Sequence, residues 1–379
     1  MPLYEICLAG NPDATTLAEI KEAISKALAC QSKTLGKDVG WHVKPTSFDP
    51  AESVASVVLF FGGTDHDISS FANVRARGVP CIPVVTDLKD VTTQLPASLA
   101  QLNSLGFVET GATRIASALM ESLGLLPKQR RVFVSYRRTE AREAAVQLFD
   151  VLSGKLFDVF LDTHGVAPGD DFQSVLWHRL CDCDVLVMLD TATYFESRWT
   201  AAEFGRALAK GISILRVAWP AVPCSSHAAT TYSHDLDTSE INSNGSISDG
   251  ALQSIWTKIE EMRSLSFAVR SLNMFSTIES GIRTIGGTVK GTGLLNSIEV
   301  ELFGGRPVLI IPAVGVPTSA NLHIAEDAAA GRPVVVVYDH VGILPSWQKH
   351  LEWLGERIST VRWVKASEVA WQLADMGVA

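Results

Sequence analysis

The feature that most restricts the fold of this chain is a pattern that occurs three times along its 379 residues. Each copy has an apolar run, a turn, a segment of small residues at helical spacing, a glycine, and a second apolar run. The copies span residues 56–85, 184–217 and 307–339. Runs such as 57–61 and 334–338 are continuously apolar, which is typical of parallel strands covered by helices on both faces.

Strand, helix and strand at this spacing form right-handed crossover units. We therefore predict an α/β fold of three consecutive flavodoxin-like or Rossmann-like units, each with an open parallel sheet. The predicted domains are a degenerate Rossmann-like unit at 1–126, a middle unit at 127–222, a flexible loop or insertion at 223–250, and a C-terminal Rossmann-like unit at 271–379. Apolar residues at helical spacing also predict a helix at 251–270 that completes the middle unit.

Composition excludes several classes of protein. Hydrophobic residues make up 47% of the chain and charged residues 19%, which indicates folded domains. The formal charge of −9 argues against general nucleic-acid binding, which requires a basic surface. The chain has no apolar run of about eighteen residues and no secretion signal, so we expect a cytoplasmic protein without membrane contact. Its cysteines lack zinc-type spacing, and we predict no metal site.

The two outer units carry weak signals for ligand binding. Gly62 and Gly63 follow an apolar strand, where a phosphate could approach backbone amides, although a simple tight turn is the favoured interpretation. In the third unit, the segment TSAN could cap the next helix. Neither unit has a GxSxG, HExxH or P-loop motif. We expect the outer units to respond to a nucleotide or protein trigger or to mediate assembly.

The middle unit carries four sequence blocks in a fixed order. They are FVSYRR, GVAPGDDF, CDVLVMLDTATY and SRWTAAEFGRA, all within residues 129–220. Together these blocks resemble the signature blocks of bacterial Toll/interleukin-1 receptor (TIR) domains. The resemblance covers well under half of the chain. It implies one of two behaviours: some TIR domains only assemble, whereas many bacterial and plant ones cleave NAD between nicotinamide and ribose.

The NAD-cleaving members carry a glutamate one turn after a tryptophan, in the helix that follows the third strand. Trp199 and Glu203 stand at these positions, and residues four apart lie on one face of a helix. The resemblance therefore implies that Glu203 is catalytic and that Trp199 binds substrate. The alternative for Glu203 is a solvated residue that interacts favourably with the helix dipole. Counting back eight residues from the glycine of each repeat gives Ser70, Glu203 and His323, so only the middle copy has the acid.

Other residues of the blocks are candidates for contacts with NAD, which is the substrate, so no cofactor is predicted. Arg137 and Arg138 could hold the pyrophosphate, or could form ion pairs on the surface. The remaining substrate-binding candidates are Ser135, Tyr136 and Asp162. Ser135 could instead satisfy backbone groups at the strand end, and Asp162 could brace the next loop.

A glycine- and proline-containing loop is the predicted assembly element. In the family this loop packs against the next subunit. Its residues here are Gly165, Pro168, Gly169, Asp170, Asp171 and Phe172. Phe172 has the alternative role of a core residue.

Three functional hypotheses follow. The leading one is a TIR enzyme that converts NAD to ADP-ribose or cyclic ADP-ribose, is activated by self-association, and acts in antiphage defence. The second is a non-enzymatic TIR scaffold whose loop mediates contacts between like domains. The third is a sensor whose outer units bind a nucleotide that the TIR unit reports.

Overall fold

A computed structural model describes residues 2–64, 67–161 and 171–378 of the chain. The chain divides into two compact units, Met1–Lys128 and Gln129–Ala379. The division falls within the proline-containing basic segment 123–131 that the sequence marks as a joint. In the described ranges, no helix combines the length and the apolar character that a membrane crossing requires.

The first unit is built on a five-stranded parallel sheet with the strand order β2-β1-β3-β4-β5. Its elements are β1 (Tyr4–Gly10), α1 (Ala14–Cys30), β2 (Val39–Val43), β3 (Ala55–Phe61), α2 (Ala72–Ala76), β4 (Cys81–Val85), α3 (Val91–Gln94), α4 (Ala97–Ala100), β5 (Leu105–Gly106) and α5 (Phe107–Ser122). The amides of Gly62 and Gly63 donate to the carbonyl oxygens of Val84 and Gln94 at 2.7 and 2.9 Å. Both amides are therefore occupied by backbone carbonyls of β4 and α3 and are not open to a phosphate.

The second unit begins with another five-stranded parallel sheet, in the order β10-β9-β8-β6-β7. Its elements are β6 (Arg131–Tyr136), α6 (Arg138–Gly154), β7 (Asp158–Leu161), α7 (Phe172–Asp182), β8 (Val185–Asp190), α8 (Arg198–Ala209), β9 (Ser213–Ala218), β10 (Tyr232–Asp235) and α9 (Asp249–Thr284). The chain leaves β6 towards β7 and then returns to the other side of β6 with β8. The strand order therefore reverses at the carboxyl ends of β6 and β8, where open sheets of this type bind ligands.

Strand β10 corrects the prediction of a loop at 223–250. It pairs in parallel with β9, and the buried side chain of Arg216 donates to Asp235 at 2.8 Å and to Ser233 at 3.1 Å. The strand has only four residues and lacks apolar alternation. It needs no apolar face, because polar contacts to Arg216 rather than core packing attach it to β9. Sequence periodicity could not detect such a strand.

Helix α9 is longer than the predicted helix at 251–270 and crosses the expected domain boundary. Its first half packs on the core of the middle sheet through residues such as Ile255 and Ile259. Its second half packs on the third sheet through Ile278 and Ile282. Arg263, between the two halves, is buried and donates to the carboxylate of Asp184 at 2.8 Å. One continuous helix thus supports both sheets.

The third sheet is mixed, with the order β11-β12-β13-β14-β15. Its elements are β11 (Thr288–Thr292), β12 (Ile298–Leu302), β13 (Arg306–Ala313), α10 (Ser319–Ala329), β14 (Val334–Tyr338), α11 (Pro345–Arg357), β15 (Val361–Lys365) and α12 (Val369–Val378). Strands β11, β12 and β13 are antiparallel, whereas β13, β14 and β15 are parallel. The prediction of a parallel sheet is wrong for the first part, because Gly304 and Gly305, with φ of 85° and 80°, reverse the chain between β12 and β13.

The threefold repeat itself is confirmed. In each copy a helix joins two neighbouring parallel strands, which are β3 and β4, β8 and β9, and β13 and β14. The glycine that follows each helix has a positive φ, at 87° for Gly78, 66° for Gly211 and 84° for Gly331. The predicted α/β fold is therefore confirmed. Thr318 also caps α10 in a capping box with Asn321, as the TSAN segment predicted.

Candidate active site

A pocket of about 550 Å³ opens at the carboxyl ends of β6 and β8. We name it the first pocket. It is lined by Tyr136, Arg137, Arg138, Thr139, Phe172, Gln173, Leu176, Trp177, Ser197, Arg198, Trp199, Thr200 and Glu203. These residues come from the end of β6, the start of α6, and the first turns of α7 and α8. The pocket therefore lies at the point where the strand order reverses.

Most of the predicted site residues come together here. The lining includes Glu203, Trp199, Tyr136, Arg137, Arg138 and Phe172, and Ser135 bonds to Glu203. Asp171 caps α7 by accepting from the amide of Gln173 at 3.3 Å. Asp162, Gly165, Pro168, Gly169 and Asp170 lie outside the described residues.

Glu203 is buried, with only 5% of its surface exposed. The hydroxyl of Ser135 donates to its Oε2 atom at 2.5 Å, and the hydroxyl of Tyr194 lies 2.6 Å from the same serine oxygen. A serine hydroxyl has one proton, so when Ser135 donates to Glu203 it accepts from Tyr194. The three buried groups form a directed chain of hydrogen bonds that ends at the carboxylate of Glu203.

Tyr194 remains a neutral donor in this chain. Burial raises the pKa of Tyr194 well above 10, and the negative charge of Glu203 raises it further. Sequence reasoning missed Tyr194 as a site residue, although it ends the block CDVLVMLDTATY. Its position on the short turn before α8 places its hydroxyl against Ser135, the residue that bonds to Glu203.

Trp199 forms a wall of the first pocket and is 44% exposed. The guanidinium of Arg198 stacks over its ring at 4.4 Å. On the facing helix, Trp177 is buried, and Arg206 of α8 stacks over its ring at 3.4 Å. The pocket thus combines flat aromatic surface with nearby positive charge. Arg198 and Trp177 were also missed, although Arg198 directly precedes Trp199 and Trp177 lies on the apolar face of α7.

The side chain of Arg137 is occupied by contacts within the protein, on the turn before α8. Its Nη1 atom donates to the carbonyl oxygen of Thr193 at 2.5 Å and pairs with Glu196 at 3.3 Å. Glu140, in the first turn of α6, accepts from the amide of Thr193 at 3.4 Å. The nearby hydroxyl of Thr191 and the hydrogen bonds from Thr193 lower the pKa of Glu140. These contacts hold the turn before α8 against the start of α6.

This fold and site define a class of protein. A parallel sheet with a reversal of strand order, and a buried carboxylate beside an exposed tryptophan at that reversal, make a flavodoxin-like α/β unit with a small-molecule pocket. The profile of the TIR domain family matches residues 132–243. The middle part of the chain is therefore a TIR domain, as its four sequence blocks predicted.

The other comparisons add little. The search of curated proteins found no match. Among solved structures, the chain is similar to tagatose-6-phosphate ketose/aldose isomerase from Escherichia coli, with 14% identity over 72% of this chain and 83% of that chain and a TM-score of 0.19. A protein from Silicibacter pomeroyi DSS-3, assigned as a phosphosugar isomerase, has 12% identity over 72% of this chain and 87% of that chain, with a TM-score of 0.17. With TM-scores this low, neither likeness bears on this chain.

Proposed function

We propose that the TIR domain is an NAD nucleosidase that cleaves the bond between nicotinamide and ribose. The observation that carries this proposal is Glu203, buried at the first pocket beside the exposed ring of Trp199. Burial of a carboxylate is unfavourable unless hydrogen bonds compensate, and Ser135 supplies such a bond. A solvated helix residue would need neither the burial nor the bond, so the arrangement favours a chemical role for Glu203.

One carboxylate suffices for this reaction. Glycosidases use two because the leaving oxygen must receive a proton, whereas the nicotinamide of NAD is already cationic and leaves as a neutral molecule. The carboxylate of Glu203 stabilises the positive charge that develops on the ribose as the bond breaks. Water then adds to that carbon and releases a proton, which yields ADP-ribose. Attack by a nitrogen of the adenine instead yields cyclic ADP-ribose.

The other lining residues have roles that fit this substrate. Trp199 offers a flat face for nicotinamide or ribose, and Arg138 and Arg198 provide positive charge for the pyrophosphate. Arg137 positions the turn before α8 through Thr193, so we assign it a structural rather than a phosphate-binding role. The volume of about 550 Å³ lies within the range of small-molecule sites, roughly 300–1,000 Å³.

We further propose that self-association through the segment 165–172 activates the enzyme. Phe172, the last residue of this segment, lines the first pocket and is 38% exposed. A neighbouring subunit bound at the segment would therefore adjoin the substrate. An enzyme that destroys NAD must be held inactive until it is triggered, which suits a role in antiphage defence in the cytoplasm.

Chromatography of NAD after incubation with concentrated protein tests the proposal. We compare the wild type with Glu203→Gln and with Glu143→Gln, a control at an exposed glutamate on α6. We expect nicotinamide from the wild type and the control, and a loss of at least about 100-fold with Glu203→Gln. Equal release by all three proteins would refute the role of Glu203. No release from any of them over a wide concentration range would favour a non-enzymatic scaffold.

A further inference from the structure

A second pocket, of about 330 Å³, lies where the third sheet meets the TIR domain. Its lining includes residues that directly follow three strands: Val314 after β13, Asp339 after β14 and Ala366 after β15. The carboxyl ends of parallel strands are where open α/β sheets bind ligands. The TIR domain closes the pocket with Lys210 from the end of α8 and Arg270 from α9.

The charges in this second pocket favour an anion. Lys210 is 17% exposed and pairs with the carboxylate of Asp339, which is 43% exposed. Arg270 donates to the carbonyl oxygens of Cys183 and Cys181 at 2.9 and 2.6 Å. A guanidinium has five N–H groups, so three of those on Arg270 have no partner among the described residues. The described lining thus has two cations and one carboxylate.

Asp339 supplies the carboxylate that pairs with Lys210 in this pocket. A phosphate dianion forms stronger charge-assisted hydrogen bonds to lysine and arginine than a single carboxylate does, so it can displace Asp339 from Lys210. Asp339 also accepts from the amide of Val341 at 3.0 Å, and the carbonyl of Val341 accepts from the thiol of Cys181 at 3.4 Å. Displacement of Asp339 would therefore act on the loop that contacts the end of α7.

Two helices connect the second pocket to the first. Helix α7 lines the first pocket through Trp177 and the second through Cys181. Helix α8 carries Glu203 at the first pocket and is followed by Lys210 at the second. The stacking of Arg206 on Trp177 joins the two helices between the pockets. A displacement of α7 and α8 at the second pocket would therefore also move Trp177 and Glu203 at the first pocket.

We propose that the second pocket binds a small phosphorylated metabolite, no larger than a mononucleotide, and that its binding alters the rate of NAD cleavage through α7 and α8. The size follows from a volume near the lower end of the range for small-molecule sites. The binding of the metabolite is inferred from the second pocket only. The effect on the rate of NAD cleavage rests on the proposed function.

Isothermal titration calorimetry of the full chain tests the binding site. The probes are AMP and ribose 5-phosphate, with adenosine and ribose as matched compounds that lack phosphate. We expect the phosphorylated probes alone to bind, and Lys210→Met to weaken binding at least about tenfold. Arg283→Met is the control, because it removes a 74% exposed arginine that lies outside the second pocket, on the helix α9 that carries Arg270, and it should leave affinity unchanged.

Two results would overturn the binding site. One is the absence of binding by either phosphorylated probe. The other is binding that Lys210→Met leaves intact but Arg198→Met weakens, which would place the probe in the first pocket.

Nicotinamide release, measured with and without saturating AMP, tests the regulatory effect. We expect a change of at least about fivefold in the wild type and none in Lys210→Met. An unchanged rate in the wild type refutes regulation. A protein that releases no nicotinamide refutes the proposed function and the regulation together, while calorimetry alone decides whether the second pocket binds phosphate.

Discussion

Replacement of Arg216 by methionine tests how the last strand of the TIR sheet is held. Arg216 lies on β9 with 2% of its surface exposed. Its Nε atom donates to Asp190 at 2.5 Å, its Nη1 atom to Asp235 at 2.8 Å, and its Nη2 atom to the carbonyl of Val222 at 3.1 Å. A guanidinium does not lose its proton in a protein, so these partners compensate its burial.

The magnitude of the effect follows from the exposure of the partners. The side chain of Asp190 is 3% exposed, and loss of Arg216 leaves this carboxylate buried without its cation. Breaking such a buried pair costs about 3–5 kcal/mol. Asp235 is 74% exposed, so water replaces its lost contact at little cost. The double substitution Arg216→Met with Asp190→Asn removes both charges and should recover at least about 1 kcal/mol.

The loss should also depend on pH. Burial raises the pKa of Asp190, and Arg216 opposes this rise. Without Arg216 the pKa of Asp190 in the folded state rises further above its unfolded value, so the folded protein takes up a proton that the unfolded chain does not. The stability of Arg216→Met then increases as pH falls through the folded-state pKa of Asp190. The difference in free energy of unfolding between the variant and the wild type should therefore shrink between neutral pH and pH ~5.

Urea unfolding followed by tryptophan fluorescence measures these effects. Of the nine tryptophans, all except Trp41 lie in the unit Gln129–Ala379, so the signal reports on that unit. Arg283→Met, at a 74% exposed arginine, serves as the control and should change stability by less than about 0.5 kcal/mol. A cost below about 1 kcal/mol for Arg216→Met, or a deficit that grows as pH falls, would refute this reasoning.

Three further predictions concern the TIR domain. Tyr194→Phe removes the hydrogen-bond donor to Ser135 and should lower kcat for NAD cleavage about tenfold with little change in KM, and stability by ~1 kcal/mol, as steady-state kinetics and urea unfolding would show. Trp199→Ala should instead raise KM at least about tenfold and leave stability nearly unchanged, because the ring is 44% exposed; an unchanged KM would contradict its role in binding. Burial lowers the pKa of His178 to about 4, so the unfolded chain takes up a proton before the folded protein does as pH falls. The free energy of unfolding should therefore decrease between pH ~6.5 and 4, by up to about 1 kcal/mol per pH unit. His178→Asn, whose side-chain oxygen can still accept from the amide of Leu344, should lack this slope in urea unfolding.

The strands and their connections were largely predictable from sequence. A continuous apolar run such as 57–61 is buried on both faces wherever it packs, so its place in a covered parallel sheet follows from composition. The direction of β12 was not predicted, although its alternating burial and the glycine pair Gly304 and Gly305 are local signals of a hairpin. Strand β10 has no such local signal in its sequence, because the side chain that attaches it to the sheet is Arg216, which belongs to β9.

The candidate site was predictable only in part. Ser135, Tyr136 and Arg137 follow or end one strand, and a short motif places them together at its carboxyl end. Tyr194 gained its role only through a serine that is 59 residues away in sequence. The second pocket has even more distant partners, since Lys210 and Asp339 are separated by 129 residues.

The sequence by itself determined that Trp199 and Glu203 share one face of a helix, because residues four apart do so in any α-helix. Whether that face meets solvent or a pocket was decided by the tertiary structure. The sheet brings Ser135 to Glu203 across 68 residues, and the burial of both makes their hydrogen bond stronger than it would be in water. Local spacing sets which side chains point the same way, but only packing between distant elements sets the environment that gives a carboxylate its chemistry.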